Sequence, residues 1–213
     1  KEEKMNLDLN QLVKWRREFH RFPEIGWSEF WTTSRIADYL EDLGCFEIFL
    51  GKQIINPDFV RGRKQAVVDK GLANAKAYGA NEKWLEKMEG YTGCVALFDS
   101  GKPGKTIALR FDIDCVNVTE TRSPEHIPNK EGFASINDGF MHACGHDSHI
   151  TIGLGIALWI AQNKDKLTGK IKIIFQPAEE GVRGAAAIAQ SGIIDDADYF
   201  ASSHISFCAN TGT

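Results

Sequence analysis

Between Met141 and His149 the chain reads Met-His-Ala-Cys-Gly-His-Asp-Ser-His. A thiol, three imidazoles and a carboxylate therefore crowd one short stretch, with Cys144 and His146 two residues apart. Further on, Phe175-Gln176-Pro177-Ala178-Glu179-Glu180-Gly181 sets a carboxylate pair after an apolar run, and His204 follows alone. Sulfur, imidazole and carboxylate together suit a transition-metal site. A carboxylate left off the metal suits hydrolysis, because it can take a proton from an activated water. Each part alone has a plainer reading. A lone Cys-x-His is usually a buried thiol beside a loop histidine. Paired glutamates usually face solvent, and a histidine at a strand end is usually just hydrogen-bonded. The crowding of His142, Asp147 and His149 around Cys144 and His146 argues the other way, since such clustering is costly in a core. A metal-bound imidazole normally donates its second N–H to a carboxylate or carbonyl. Asp112, Asp114 and Asp147 are candidates for that outer layer, with His142 and His149 in the same cluster.

The elements must bring these groups together. Asp8 and Gln11 have capping-box spacing and open a helix with Leu12, Trp15, Phe19 and Phe22 on one face, closed by Pro23. A second helix is expected over 27–43, stopped by Gly44, and then a strand over 45–50. Residues 52–90 read as an insertion, charged and helical from 66 to 88. Apolar runs at 94–98 and 106–111, joined by the turn-rich Asp99-Ser100-Gly101-Lys102-Pro103-Gly104-Lys105, predict an antiparallel hairpin. Residues 116–140 look irregular. A helix is expected over 146–163, where Gly153 and Gly155 would admit another backbone. A strand at 171–175, a short helix at 185–190 and a strand at 198–203 follow. This alternation predicts an α/β fold, a mixed central sheet with helices on both faces. Ligands of open α/β sheets bind beyond the carboxyl ends of the strands. The strand-end pair Glu179–Glu180, strand-end His204 and helix-start Cys144 and His146 can therefore meet at one sheet edge.

Bulk properties narrow the partners. The 213 residues are 43% hydrophobic and 25% charged, enough for a full core. The net charge of -4 and the single short basic run, Arg61-Gly62-Arg63-Lys64, weigh against nucleic acid. No apolar run has the length of a membrane span. The charged start, Lys1-Glu2-Glu3-Lys4, is followed by no apolar region, so no secretory leader is expected. Five cysteines, an odd and scattered set, suit a reducing, cytoplasmic setting. Cys45, Cys94, Cys115 and Cys208 are expected as buried, inert thiols.

Taken together, Met-His-Ala-Cys-Gly-His-Asp, Phe-Gln-Pro-Ala-Glu-Glu-Gly and His204 resemble the M20 metallopeptidase superfamily, in its amidohydrolase branch. Trp15-Arg16-Arg17-Glu18-Phe19-His20 with Pro23-Glu24, and Ala108-Leu109-Arg110-Phe111-Asp112-Ile113-Asp114, agree with it. The insertion, Gly132-Phe133-Ala134-Ser135 and Asp195-Asp196-Ala197-Asp198-Tyr199-Phe200 narrow the resemblance to one subfamily. Cys115-Val116-Asn117 departs from the usual continuation. The resemblance implies two divalent metal ions, Mn or Zn, with Cys144 bridging them, His146, Glu180 and His204 as further ligands, and Glu179 as general base. It implies hydrolysis of the amide of an N-acyl amino acid, in the subfamily p-aminobenzoyl-glutamate, giving p-aminobenzoate and glutamate. It also implies a homo-oligomer, or pairing with a related protein chain as a hetero-oligomer. On this reading residues 1–205 are part of a catalytic domain, and 206–213 lead toward a lid domain and a last histidine ligand. The alternatives are a metal-binding chain without turnover of its own, and a chain whose role is association.

Overall fold

A computed structural model describes residues 8–206. Helix α1 (Leu9–Arg21) is capped by Asp8, whose carboxylate accepts the Asn10 N–H at 2.9 Å. That is a simple N-cap, with no reciprocal bond from Gln11. The helix buries Trp15, Phe19 and His20. Helix α2 (Phe30–Leu43) starts later than its apolar pattern suggests, because Trp27 adopts a left-handed φ of 69°, which no helix accommodates. Gly44, at φ 67°, ends it as expected. The 52–90 segment forms α3 (Gln65–Ala77) and α4 (Glu82–Lys87), not one helical stretch. The break falls at Gly79, where φ is 77°. Val68, Ala75, Trp84 and Leu85 fasten both helices to the core. Within Arg61-Gly62-Arg63-Lys64, Arg63 is spent on the Gly90 carbonyl and the Tyr91 ring.

The sheet comprises β1 (Glu47–Leu50), β2 (Cys94–Asp99), β3 (Thr106–Asp112), β4 (Lys170–Gln176) and β5 (Tyr199–Ser202). Its order is β1-β2-β4-β3-β5. Strands β3, β4 and β5 run parallel, while β2 is antiparallel to β4 and β1 to β2. The expected β2–β3 hairpin does not form, because β4 lies between them, with Ile173 opposite Ala96 on one side and Leu109 on the other. The reason is burial. Strand β4 carries Ile171, Ile173, Ile174 and Phe175 and takes the centre, where both faces are covered. The connecting loop wraps the start of β4 instead of closing a turn: Ser100 N–H donates to the Gly169 carbonyl and Gly169 N–H to the Lys102 carbonyl, each at 3.1 Å.

Helices lie on both faces, as the alternation predicts. On one face Cys94, Ala96, Phe98, Phe111, Ile173 and Phe175 meet α1, α2 and α6 (His146–Asn163). On the other, Val95, Ala108 and Ile174 meet Trp27, Ile54, Ile55 and the short α7 (Ala185–Ala189). Gly153 admits no backbone. A Cβ there would stand 2.7 Å from the Phe175 ring and 3.0 Å from the Phe111 ring, so its smallness makes room for aromatic rings. Residues 116–140 hold one short helix, α5 (Ile127–Lys130). Cys94 and Cys115 are buried, Cys45 only half so, and Cys208 lies outside the described residues. Among the described residues no helix is long and apolar enough to cross a membrane.

Candidate metal centre

Because β3, β4 and β5 are parallel, their carboxyl ends share one edge. Strand β3 delivers Asp112, with Asp114 just beyond it. Strand β4 leads into the loop bearing Glu179 and Glu180, and β5 leads to His204. Gly145, at φ 87°, turns the chain from Cys144 into the first residue of α6, His146, over the same edge. Three sets of potential ligand atoms converge here, each within 4.8 Å: Cys144, His146 and His204; His146, Glu179 and Glu180; and Asp112, His146 and His149. His146 is common to all three.

The hydrogen bonds decide which nitrogens are free. The His146 Nδ1–H donates to the Asp114 carbonyl at 2.8 Å, so in the neutral ring Nε2 carries the lone pair; burial opposes the ring's charge, but Asp114 and Asp112 outweigh it and raise its pKa. That Nε2 is buried without a partner and sits 3.9 Å from a Glu179 carboxylate oxygen. His204 repeats the pattern: Nδ1–H donates to the Ile205 carbonyl at 2.6 Å, and Nε2 faces the Cys144 sulfur at 3.4 Å. Oε1 of Glu180 is likewise buried and unpartnered. Two ring nitrogens, a thiol and an orphaned carboxylate oxygen, set in overlapping triads that share His146, fit divalent cations. The electrostatics agree. Burial, and then the nearby Glu180, Glu179 and Asp112, push the Cys144 thiol up to about 11. Burial and Asp112 raise Glu179 above the usual carboxylate range against the pull of His146. A bound cation would reverse the penalty on the thiolate.

The outer layer differs from expectation at Asp147. It does not back His146. It faces away, accepting from His20 Nδ1 at 2.7 Å and pairing with Arg16 at 3.0 Å, because the first turn of α6 sends successive side chains to different sides. Asp114 takes the supporting place. Besides its carbonyl, its two carboxylate oxygens accept the Glu179 and Glu180 N–H groups, each at 3.0 Å. Asp112 pairs with Arg110 and lies 3.4 Å from His149 Nδ1. The other nitrogen of His149 accepts the Ile205 N–H at 3.1 Å, which anchors the segment carrying His204. His142 is buried with neither nitrogen bonded, and burial depresses it to about 4, so the ring is neutral.

Several supporting residues carry no local signal. Glu29 is fully buried and accepts the Ala178 N–H at 2.7 Å and the Thr92 hydroxyl at 2.6 Å, holding the base of the Glu179–Glu180 loop. Burial and then the Asp114 charge raise its pKa. Glu24 accepts the Trp31 and Thr32 N–H groups at the start of α2, and burial pushes it to about 8. His20 lies between Asp147 and Glu120, with His126 on the same Glu120 oxygen. Arg16, His20 and Glu24 fall in a stretch whose pattern was visible; Glu29 and Glu120 look like ordinary surface acids until the fold buries them.

The sequence model of peptidase family M20/M25/M40 matches residues 108–212. The chain is 98% identical to a Haemophilus influenzae homolog of a p-aminobenzoyl-glutamate hydrolase subunit, over 98% of this chain and 49% of that protein. It is 45% identical to the indole-3-acetyl-aspartic acid hydrolase of Enterobacter agglomerans, over 96% of this chain and 47% of that one. Among solved structures it is similar to the aminobenzoyl-glutamate utilization protein from Klebsiella pneumoniae, with TM-score 0.76 and 36% identity over 94% of this chain and 44% of that one. It is also similar to a Bacillus subtilis dinuclear metal binding peptidase from the M20 family, with TM-score 0.67 and 28% identity over 92% and 43%. The chain spans about half the length of the curated relatives it matches.

Proposed function

We propose that this chain, whose residues 108–212 match the sequence model of peptidase family M20/M25/M40, carries the metal ligands and general base of an amidohydrolase acting on N-acyl amino acids. The observation that carries the reading is the pair of unpartnered, inward-facing groups, His146 Nε2 and Glu180 Oε1, beside Cys144 and His204. Cys144, His146, Glu180 and His204 would hold two divalent ions, Mn or Zn. Such ions supply Lewis acidity, polarising an amide carbonyl and acidifying a water. Glu179 is the residue left to move the proton. Its carboxylate takes the proton from the attacking water and hands it to the leaving amine. Asp114 holds the backbone N–H groups of both glutamates, which fixes the origin of both side chains.

Relatives named for p-aminobenzoyl-glutamate and for indole-3-acetyl-aspartate share one substrate chemistry, an aromatic acyl group on an acidic amino acid. The higher identity favours p-aminobenzoyl-glutamate, cleaved to p-aminobenzoate and glutamate. A relative named as one part of a multi-chain hydrolase supports assembly, into a homo-oligomer or a hetero-oligomer with a related protein chain. The unpaired cysteines support a reducing, cytoplasmic setting. The test is Glu179→Gln in the whole protein, assayed on p-aminobenzoyl-glutamate with Mn²⁺ or Zn²⁺. Metal content should persist while turnover falls by at least about 10²-fold; near-normal turnover would remove Glu179 from its role.

A further inference from the structure

The loop bearing Glu179 and Glu180 is braced on its far side by Arg183. The Arg183 Nε–H donates to the Glu180 carbonyl at 2.7 Å. The rest of the side chain passes between glycines of separate segments. A Cβ at Gly26, in the α1–α2 connection, would stand 2.5 Å from the guanidinium Nη2, and a Cβ at Gly62, in the 52–90 segment, 2.7 Å from Cδ. Gly62 has φ +64°, so its backbone favours glycine anyway. Gly26 lies outside the left-handed region, and only space forbids a side chain there: Arg183 on one side, the Ala178 Cα at 2.9 Å on the other. The two walls are tied together, because buried Trp27 donates its indole N–H to the Arg61 carbonyl at 2.7 Å.

The loop needs such bracing. Ala178 and Val182 flank the glutamates with left-handed φ values of 50° and 57°. Non-glycine residues stay in that region only where their surroundings over-determine the backbone. We infer that Arg183 is a positioning residue, through which the Arg61–Gly62 turn of the 52–90 segment sets the Glu180 carbonyl and hence the aim of both carboxylates. This rests on the roles proposed above for Glu179 and Glu180. A merely structural Arg183 would affect stability and leave metal affinity alone, so affinity separates the two.

The experiment titrates Mn²⁺ into the whole protein by calorimetry, with thermal unfolding read alongside. It compares wild type with Arg183→Ala, Gly26→Ala and, as a direct-ligand control, Glu180→Gln. Arg183→Ala should weaken Mn²⁺ binding about tenfold or more, the usual effect of losing a group that orients a ligand. Millimolar methylguanidinium, which fits the vacated channel, should restore much of it. Gly26→Ala keeps the arginine but drives a methyl into its guanidinium and onto the Ala178 Cα, so it disturbs the same bracing from the opposite wall and should weaken binding comparably even if Arg183→Ala proves insoluble. If both variants bind within about twofold of wild type while Glu180→Gln loses affinity, the inference is overturned and the proposed function stands. A loss in Arg183→Ala that methylguanidinium leaves unchanged also counts against it. A wild-type protein that takes up neither Mn²⁺ nor Zn²⁺ overturns both.

Discussion

The Asp114 carbonyl accepts the Nδ1–H of His146 at 2.8 Å, and in the neutral ring this one bond selects the tautomer that leaves the lone pair on Nε2. The same residue's carboxylate holds the Glu179 and Glu180 N–H groups. Asp114 is fully buried, so removing its carboxylate strands two N–H donors.

Asp114→Ala is therefore expected to cost about 1–3 kcal/mol for each stranded donor and to weaken metal binding about 10–100-fold. Urea unfolding and Mn²⁺ titration measure the two effects. An unchanged metal affinity would show that the loop aims its carboxylates without Asp114.

Cys144→Ser replaces a soft donor by a hard one. Zn²⁺ affinity should fall more than Mn²⁺ affinity, because thiolate favours the softer ion. With Co²⁺ as a spectroscopic probe, the sulfur charge-transfer band of the wild type should vanish in the variant. Equal losses for Zn²⁺ and Mn²⁺, with the band retained, would exclude sulfur from the ligand set.

His20 predicts a pH signature in stability. Both its nitrogens face acceptor-only carboxylates, Asp147 at 2.7 Å and Glu120 at 3.0 Å, which only an imidazolium satisfies. Burial opposes the charge, but those hydrogen bonds outweigh it and raise the His20 pKa above 6.5. Burial likewise opposes the Glu120 charge, yet His20 and the Ser135 N–H hold it below its ordinary 4.5. The raised histidine stabilises fully below pH 6.5, and loses that contribution as pH rises through its folded pKa. The depressed glutamate stabilises fully above pH 4.5, and loses that contribution as pH falls through its folded pKa. The difference in unfolding free energy between wild type and His20→Gln should therefore be greatest between about pH 4.5 and 6.5 and shrink on both sides, by up to about 1.4 kcal/mol per pH unit for each group. A difference that is flat from pH 4 to 8 would contradict the charged assignment.

Two glycines of α6 should respond oppositely to alanine. At Gly153 the added methyl meets the Phe175 and Phe111 rings in the core, so Gly153→Ala should destabilise by about 1–3 kcal/mol. At Gly155 the nearest atom is the flexible end of Leu12 at 3.3 Å. The gain in helix propensity should then make Gly155→Ala neutral or stabilising by up to about 1 kcal/mol. Denaturant midpoints of both variants test the pair, and equal destabilisation would mean that Leu12 cannot yield.

Residue types and short spacings were legible wherever the signal was local. The bounds of α6 follow from its apolar pattern and the glycine before it. Cys144, His146, Glu179, Glu180 and His204 stand out because their chemistry is rare at that density. Longer-range relations were not legible. A turn-rich loop between two apolar runs reads the same whether the strands pair or admit a third between them, and the greater burial of β4 made that choice. Asp147 has the right composition for an outer-layer carboxylate, but the direction of its side chain depends on the rotation of α6 against α1.

What the chain's order alone determined was the candidate donor set, most of the secondary elements that carry it and the expectation that strand ends would gather it, since type, period and turn chemistry are local properties. Only the tertiary structure decided which nitrogen of His146 bonds a backbone carbonyl, that Asp114 and not Asp147 bonds His146 and the Glu179–Glu180 loop, and that Glu29 and Glu120 are buried. Each of those depends on contacts between segments far apart in the chain. Burial there turns ordinary polar groups into ones that must find a partner.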